Sequence, residues 1–401
     1  MSRFTRKHLG PGAPPEYMED LLRLTVEKDA SDLHLTYSEP PVFRIRGDLT
    51  PMDCGAYTHD KIHELLMQVM PPRYAKVLEE RRSVDFAVSS PEVGRFRFAA
   101  YYQRGALSLA IRLLAKGIPN FESLGLPPSV ARLATFRDGL VLVTGVTGSG
   151  KSTTLAAIID AINRKDSKNI ITVEDPIEYV HQNGKCIVNQ RELHTDVLSF
   201  PDALRDSLRA DPDVILVGEI RDLDTMRTAI MAAETGHLVF STLHSKDAMS
   251  SVNRMVGSFP AGEQAQIRQQ LSSTLRAVIS QRLLPRADMT GRAPAVEIMF
   301  TTTGIANLIR LGKDDMIYSA IETGQREGMQ TMEQSLLSLV KQNIISMETA
   351  LPAAKNKAIM ENRMALCGEM PAGEEKDKEC GPPRSWFFST SIEKEGVGRK
   401  P

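Results

Sequence analysis

The sequence predicts an α/β protein: a parallel sheet covered by helices, with a smaller α+β domain ahead of it. Two observations carry that prediction. From residue 129 apolar runs alternate with helix-like segments: "GLVLVTG", a helix from 151, "NIITVED", "DVILVGE", a helix from about 223, then "HLVFSTLH". Strands separated by helices pair in parallel and are buried on both faces, so their runs are continuously apolar. Before residue 115 the pattern differs. "GRFRFAAYYQ" sets Phe96 and Phe98 on one face against Arg95 and Arg97 on the other, the period of two of a strand with one wet side.

Residues 1–16 contain Gly10, Pro11, Gly12, Pro14 and Pro15 and are expected to be a loose leader. "YMEDLLRLTVEK" then places Met18, Leu21, Leu22, Leu24 and Val26 at helical spacing. With the strand-like "DLHLTY", "VFRIRGDL" and "SVDFAVS" it makes 17–115 the α+β domain. The Gly and Pro of "LLAKGIPNFESLGLPP" mark a linker at 116–128, and 129–352 is the main α/β domain. From 353 to 401 periodicity is lost, and this tail, with its aromatic "SWFF" at 385–388, is expected to carry no structure.

A chain of 401 residues, 42% hydrophobic and 25% charged, has enough apolar material for two or three cores. Its 49 basic and 50 acidic residues leave a net charge of -1, so nothing points to nucleic acid as the main partner. Cys54, Cys186, Cys367 and Cys380 form no CxxC pair, which argues against a disulfide framework and for a reducing compartment. The start lacks the apolar stretch of a secretory signal, and no run approaches the ~18 residues of a membrane span. A soluble cytoplasmic protein is expected.

The strongest chemical signal is "GVTGSGKST" at 145–153, which follows the strand "LVLVT" and opens the helix-like "STTLAAIIDAI". It matches GxxxxGK[ST] at Gly145, Gly150, Lys151 and Ser152, with Thr147, Gly148, Ser149 and Thr153 completing the loop. Glycines let backbone amides turn inward around phosphates, Lys151 supplies charge to the β- and γ-phosphates, and Ser152 would ligate Mg²⁺. About 70 residues later "DVILVGEI" ends in Glu219, placed to ligate Mg²⁺ directly or through water. "VEDPIEY" ends another apolar strand with Glu174, Asp175 and Glu178. Three acids beside a polyphosphate repel it unless one orients the attacking water; the alternative is a solvated turn capped by Asp175 and Pro176.

"GHLVFSTLHS" carries a histidine at each end of one apolar run, His237 and His244. Seven extended residues separate them by ~23 Å, which argues against shared zinc. His244, at the carboxyl end of its strand, would face a ligand bound at the sheet edge. His237 would lie at the opposite end of the sheet.

The order "GSGKST", "VEDPIEY", "DVILVGEIRD" and "GHLVFSTLH" resembles the Walker A, Asp-box, Walker B and His-box series of the type II/IV secretion ATPases. "SDLHLT", "GRFRFAAYYQRG", "LSFPDALRDSLRADPD" and "FPAGEQAQIRQQL" are similar to the pilus retraction subgroup, and the resemblance spans about 17–350. It implies a RecA-like ATPase core, an N-terminal PAS-like domain, and a homohexamer that couples ATP hydrolysis to type IV pilus retraction and twitching motility. Its partners would be an inner-membrane platform protein, where it docks from the cytoplasm, and a second retraction-type ATPase is a further candidate. Glu178 takes the catalytic-base position, with Glu174 beside it. His244 would sense the nucleotide, and His237 would couple subunits at an interface. Arg97, Arg104 and Arg112 of the N-terminal domain, and Arg254 of the core, are candidates to reach the nucleotide. Two departures stand out. The tetracysteine module of extension and secretion ATPases is absent, and Ala306 in "GIANLIR" stands where the retraction subgroup has arginine. The rival readings are an accessory retraction ATPase, a type II or type IVB secretion motor, a nucleotide-dependent assembly factor and, distantly, a small-molecule kinase.

Overall fold

The computed structural model describes residue 12 and residues 14–90, 92–114 and 117–366. The chain builds two sheets. The first is antiparallel and made from β1 (Ala30–Leu35), β2 (Val42–Ile45), β3 (Asp48–Pro51), β4 (Ser83–Ser90), β5 (Gly94–Gln103) and β6 (Ala106–Leu113), in the order β3-β2-β1-β6-β5-β4. The alternation in "GRFRFAAYYQ" does what its period predicts: Phe96 and Phe98 are fully buried, and Phe98 stands opposite Ile111 of β6. Phe98 stacks on Phe86, and Phe86 on Tyr74 of the helix Pro72–Arg81, with ring centroids 5.2 and 5.3 Å apart. Each such buried ring contributes about 1.5–3 kcal/mol. "VFRIRGDL" is a hairpin rather than one strand, because Arg46 and Gly47 both adopt positive φ between β2 and β3.

The second sheet has seven strands: β7 (Gly139–Thr144), β8 (Asn169–Glu174), β9 (Ile187–Glu192), β10 (Val214–Val217), β11 (Leu238–Leu243), β12 (Leu275–Pro285) and β13 (Arg292–Phe300). Their order is β13-β12-β7-β11-β10-β8-β9, parallel throughout except that β13 runs antiparallel to β12. Every residue of β7, β10 and β11 is buried, as double-sided cover demands. The helices Lys151–Lys165 and Leu223–Glu234 lie where the sequence puts them. No helix among the described residues is long and apolar enough to cross a membrane.

Two expectations about the ends change. The last part of the segment 1–16 is tied to the segment that follows β3: Gly12 bridges to Cys54, and the Tyr57 hydroxyl donates to the Pro15 carbonyl at 2.7 Å. Residues 1–11 and 13 lie outside the described part. The tail expected to be without structure begins instead with a helix, Lys357–Leu366, whose Met360 is fully buried in a small cluster with Met332, Leu336 and Ala353. Among its described side chains only Met360 is buried, which is too little for a helical period to show in sequence. Cys367, Cys380 and "SWFF" lie outside the described residues.

This C-terminal layer is fastened by buried acids. Glu333 accepts the amides of Lys355 and Asn356, each at 2.9 Å, and the Tyr318 hydroxyl at 3.0 Å. Glu297 of β13 accepts the Ala248 amide at 2.7 Å, and Asp247 pairs with Lys355 at 2.9 Å. Burial pushes the Glu297 carboxyl from 4.5 up to about 7, against the pull of the Ala248 amide. A carboxyl whose folded pKa is raised loses stability as pH rises from the unfolded value to the folded one, and no further above it. Glu297→Gln should therefore gain roughly 1–3 kcal/mol on the parent between about pH 5 and about pH 8. Denaturant titrations at the two pH values check this; an unchanged gap would show that Glu297 titrates normally.

Candidate functional site

Parallel pairing sends the carboxyl ends of β7, β11, β10 and β8 to one edge of the sheet, where open α/β sheets bind ligands. Thr144 stands opposite Leu243, and Val217 lies between Ser241 and Val173, so the segments that follow these strands emerge side by side.

After β7 the chain makes the phosphate loop. Gly145 and Gly150 have φ of 146° and 87°. A Cβ at Gly145 would meet the Gln281 backbone carbonyl at 2.4 Å, and one at Gly150 would meet the Gln281 side-chain nitrogen Nε2 at 2.7 Å. Strand β12 thus passes too close for any side chain, and the Thr154 hydroxyl fixes it there by donating to Gln281 Oε1 at 2.8 Å. The Lys151 ammonium donates to the carbonyls of Gly145 and Val146 at 3.0 and 3.1 Å. Burial lowers its pKa, while Glu219 and Glu178 nearby work to raise it. Ser149 Oγ is buried without a hydrogen-bond partner among the described residues, whereas Thr147, Gly148 and Ser152 are exposed. A 15-residue helix starts at Lys151, so its free amides and the positive end of its dipole point into the loop. This cradle fits a polyphosphate, and the Ser152 hydroxyl and the Glu219 carboxylate are oxygen groups of the kind that could hold Mg²⁺.

Glu219 follows β10. Its carboxylate pairs with Arg221 and stands 3.6 Å from His244 Nε2. Arg254 donates to the His244 carbonyl at 2.8 Å, which brings it to the same corner. The acidic loop after β8 is held by β9. Gln190 donates to Glu174 Oε1 at 3.1 Å and to the Tyr179 carbonyl at 2.8 Å, and accepts the His181 amide at 2.7 Å. Glu192 accepts the Ile177 amide at 3.1 Å. The Tyr179 hydroxyl meets Thr153 Oγ1 at 2.9 Å and so ties this loop to the phosphate-loop helix. Burial pushes the Glu174 carboxyl up to about 7, against hydrogen bonds from Thr172 and Gln190. Glu178 is half-buried, and its charge acts on Lys151, Glu174 and Tyr179 alike.

The structure therefore gathers the phosphate loop, Glu174, Glu178, Glu219, His244 and Arg254. It does not bring in His237, which precedes β11 at the other end of the strand, its Nδ1 beside the Ala232 carbonyl at 3.0 Å and the Thr235 hydroxyl at 3.1 Å. Arg97 pairs with Asp85 at 3.6 Å, Arg112 with Asp32 at 2.8 Å, and Arg104 is exposed in the turn between β5 and β6. Among the described residues none of these three bonds the phosphate loop, Glu178 or Glu219. Sequence reasoning passed over Gln190, Glu192, Gln281 and Arg95. None of them carried a sequence signal: Arg95 shares its face of the alternating strand with Arg97, and only the structure shows it half-buried.

A family model described as "Type II/IV secretion system protein" matches residues 16–364. The chain is 46% identical over 336 residues to the type IV pilus retractation ATPase PilT of Pseudomonas aeruginosa, covering 84% of this chain and 97% of that one. It is 40% identical to the type IV pilus ATPase PilU of the same organism, over 84% of this chain and 88% of that one. The crystal structure of the pilus retraction motor PilT with bound ADP superposes with a TM-score of 0.79 at 46% identity, covering 86% of this chain and 98% of that one. The chain belongs to the type II/IV secretion system protein family.

Proposed function

We propose that this chain is the ATPase of a type IV pilus retraction motor, with a RecA-like core, an N-terminal PAS-like domain and six copies in a ring. The observation that carries the reading is the meeting of the phosphate loop, the Glu174–Glu178 loop and the Glu219–His244 pair at one sheet edge. A protein that only binds nucleotide has no use for carboxylates set to orient water. The relative PilT is named as a retraction ATPase, and its structure holds ADP. The domains would fall at 17–115 and 129–352, with 116–128 joining them.

In this reading the loop amides and Lys151 hold the β- and γ-phosphates, and Glu178 orients the attacking water. Glu174, whose carboxyl burial pushes up to about 7, lies near enough for the Glu178 charge to act on it. Mg²⁺, held by Ser152 and Glu219, would neutralise developing phosphate charge. His244 reads the state of Glu219, and Arg254 steadies His244 through its carbonyl. Arg97, Arg104 and Arg112 would reach nucleotide only through movement of the first sheet or from a neighbouring subunit, and His237 would work at a subunit boundary. Partners would be the inner-membrane platform protein of the pilus, met from the cytoplasm, and a PilU-like second ATPase. The 40% identity to PilU keeps an accessory retraction ATPase as the second reading.

Phosphate release by the purified chain with ATP and Mg²⁺ tests the chemistry. Lys151→Ala should lose turnover by more than about 100-fold, chiefly through nucleotide binding; a variant that matches the parent would remove the phosphate loop from the site. Glu178→Gln is expected to lower kcat by about 10²–10⁴-fold while KM for ATP stays within a few-fold. A rise in KM at constant kcat would instead make Glu178 a binding residue.

A further inference from the structure

Arg95, on β5, reaches out of the first sheet to the carboxylate loop of the second. Its side chain is 18% exposed and that of its partner Glu192 is 9% exposed, so the pair is largely withdrawn from water. Arg95 Nη2 lies 2.5 Å from Glu192 Oε2, Nε donates to the Ile177 carbonyl at 2.8 Å, and Nη1 donates to Ser89 Oγ at 2.8 Å. The same Glu192 oxygen accepts the Ile177 amide at 3.1 Å. Ile177 is thus gripped at its amide by an anion from β9 and at its carbonyl by a cation from β5. The next residue is Glu178.

The other oxygen of Glu192 accepts the Thr195 hydroxyl at 3.2 Å, and Thr195 in turn meets Tyr74 at 2.9 Å and Arg73 at 3.2 Å. Groups from the first part of the chain therefore act on Glu192 from two sides. Arg97, two residues on and on the same face, pairs inside its own sheet with Asp85. A guanidinium can serve three acceptors at fixed angles, which an ammonium cannot. A buried ion pair adds little net stability, because desolvating two charges offsets their attraction. Its effect here is to fix a position.

We propose that Arg95 is a positioning residue for hydrolysis: by clasping Ile177 together with Glu192, it sets where the Glu178 carboxylate stands, so that turnover is full only while the first sheet is seated on the core. The inference rests on the reading of Glu178 as the water-orienting group. It makes the interface between the two sheets part of the catalytic geometry within a single chain.

Arg95→Ala should lower kcat by about 10- to 100-fold, since a misplacement of about 1 Å is enough for that, with KM for ATP within about threefold. Arg95→Lys keeps the charge but cannot hold the Ile177 carbonyl and Glu192 together, and should recover part of the loss. The deciding measurement is single-turnover hydrolysis in the Glu178→Gln background. With the carboxylate gone, Arg95→Ala should cost less than about twofold more. An equal loss in both backgrounds would assign Arg95 a merely structural role and overturn the proposal, as would a kcat for Arg95→Ala within about twofold of the parent. If Arg95→Ala does not fold, Glu192→Gln is read the same way, because it removes the charge and keeps an acceptor for the Ile177 amide. A parent chain that releases no phosphate overturns the hydrolysis reading and this one with it. A parent that turns over with an indifferent Arg95 overturns only this one.

Discussion

Strand β7 pairs in parallel with β11 on one side and β12 on the other, and the rest of the site depends on that register. The phosphate loop leaves β7 at Thr144, whose hydroxyl donates to Ser280 of β12 at 2.9 Å in a fully buried pair. Two hydroxyls taken out of water are tolerable only when they bond each other, so the pair penalises any other alignment. A slip of one residue would turn every side chain of the strand to the opposite face. It would also move Gln281 from beneath Gly145 and Gly150, where only hydrogen fits. The same register puts Leu243 beside Thr144 and so delivers His244 next to the loop.

Strand β9, at the far edge, works differently. It buries little: Ile187 and Asn189 are exposed, Val188, Gln190 and Arg191 half-buried, and only Glu192 is buried. Its contribution is polar: Gln190 and Glu192, two residues apart and therefore on one face, hold the acidic loop at the Ile177 amide, the Tyr179 carbonyl and the His181 amide. Loops carry catalytic groups well only when something rigid sets their backbone, and here the rigid element is an edge strand. The Tyr179–Thr153 contact then joins this loop to the phosphate helix, so two segments distant in sequence share one frame.

What was legible in the sequence divides along physical lines. Strands β7, β8, β10 and β11 announce themselves because burial on both faces makes their runs mostly apolar, with only small hydroxyls such as Thr144, Thr172, Ser241 and Thr242 inside them. The phosphate loop is legible because close backbone approach leaves no choice but glycine. Strand β9, "IVNQRE", carries neither signal, since an edge strand that bonds through its side chains looks like a polar loop. Strands β12 and β13 were missed for another reason. Their hairpin follows the helix Gln264–Thr274 and contains polar Ser280, Gln281 and Glu297 at buried positions, which break an apolar run. Arginines Arg97, Arg104 and Arg112 were chosen by resemblance, and nothing in local pattern could tell them from Arg95. What separates Arg95 is the loop it meets, 82 residues away.

The two histidines of β11 show the same limit from the other side. The strand of six buried residues between them holds His237 and His244 about 23 Å apart, so they cannot serve one site within a chain. His244 has exchanged the core for the company of Glu219 and Arg254. His237 sits where the helix Leu223–Glu234 ends, and its ring nitrogen and backbone amide both face the Ala232 carbonyl, which lacks a partner inside the helix. Its own carbonyl accepts the Gly139 amide, at the first residue of β7. His237 thus fixes the start of the same two strands whose far ends form the site.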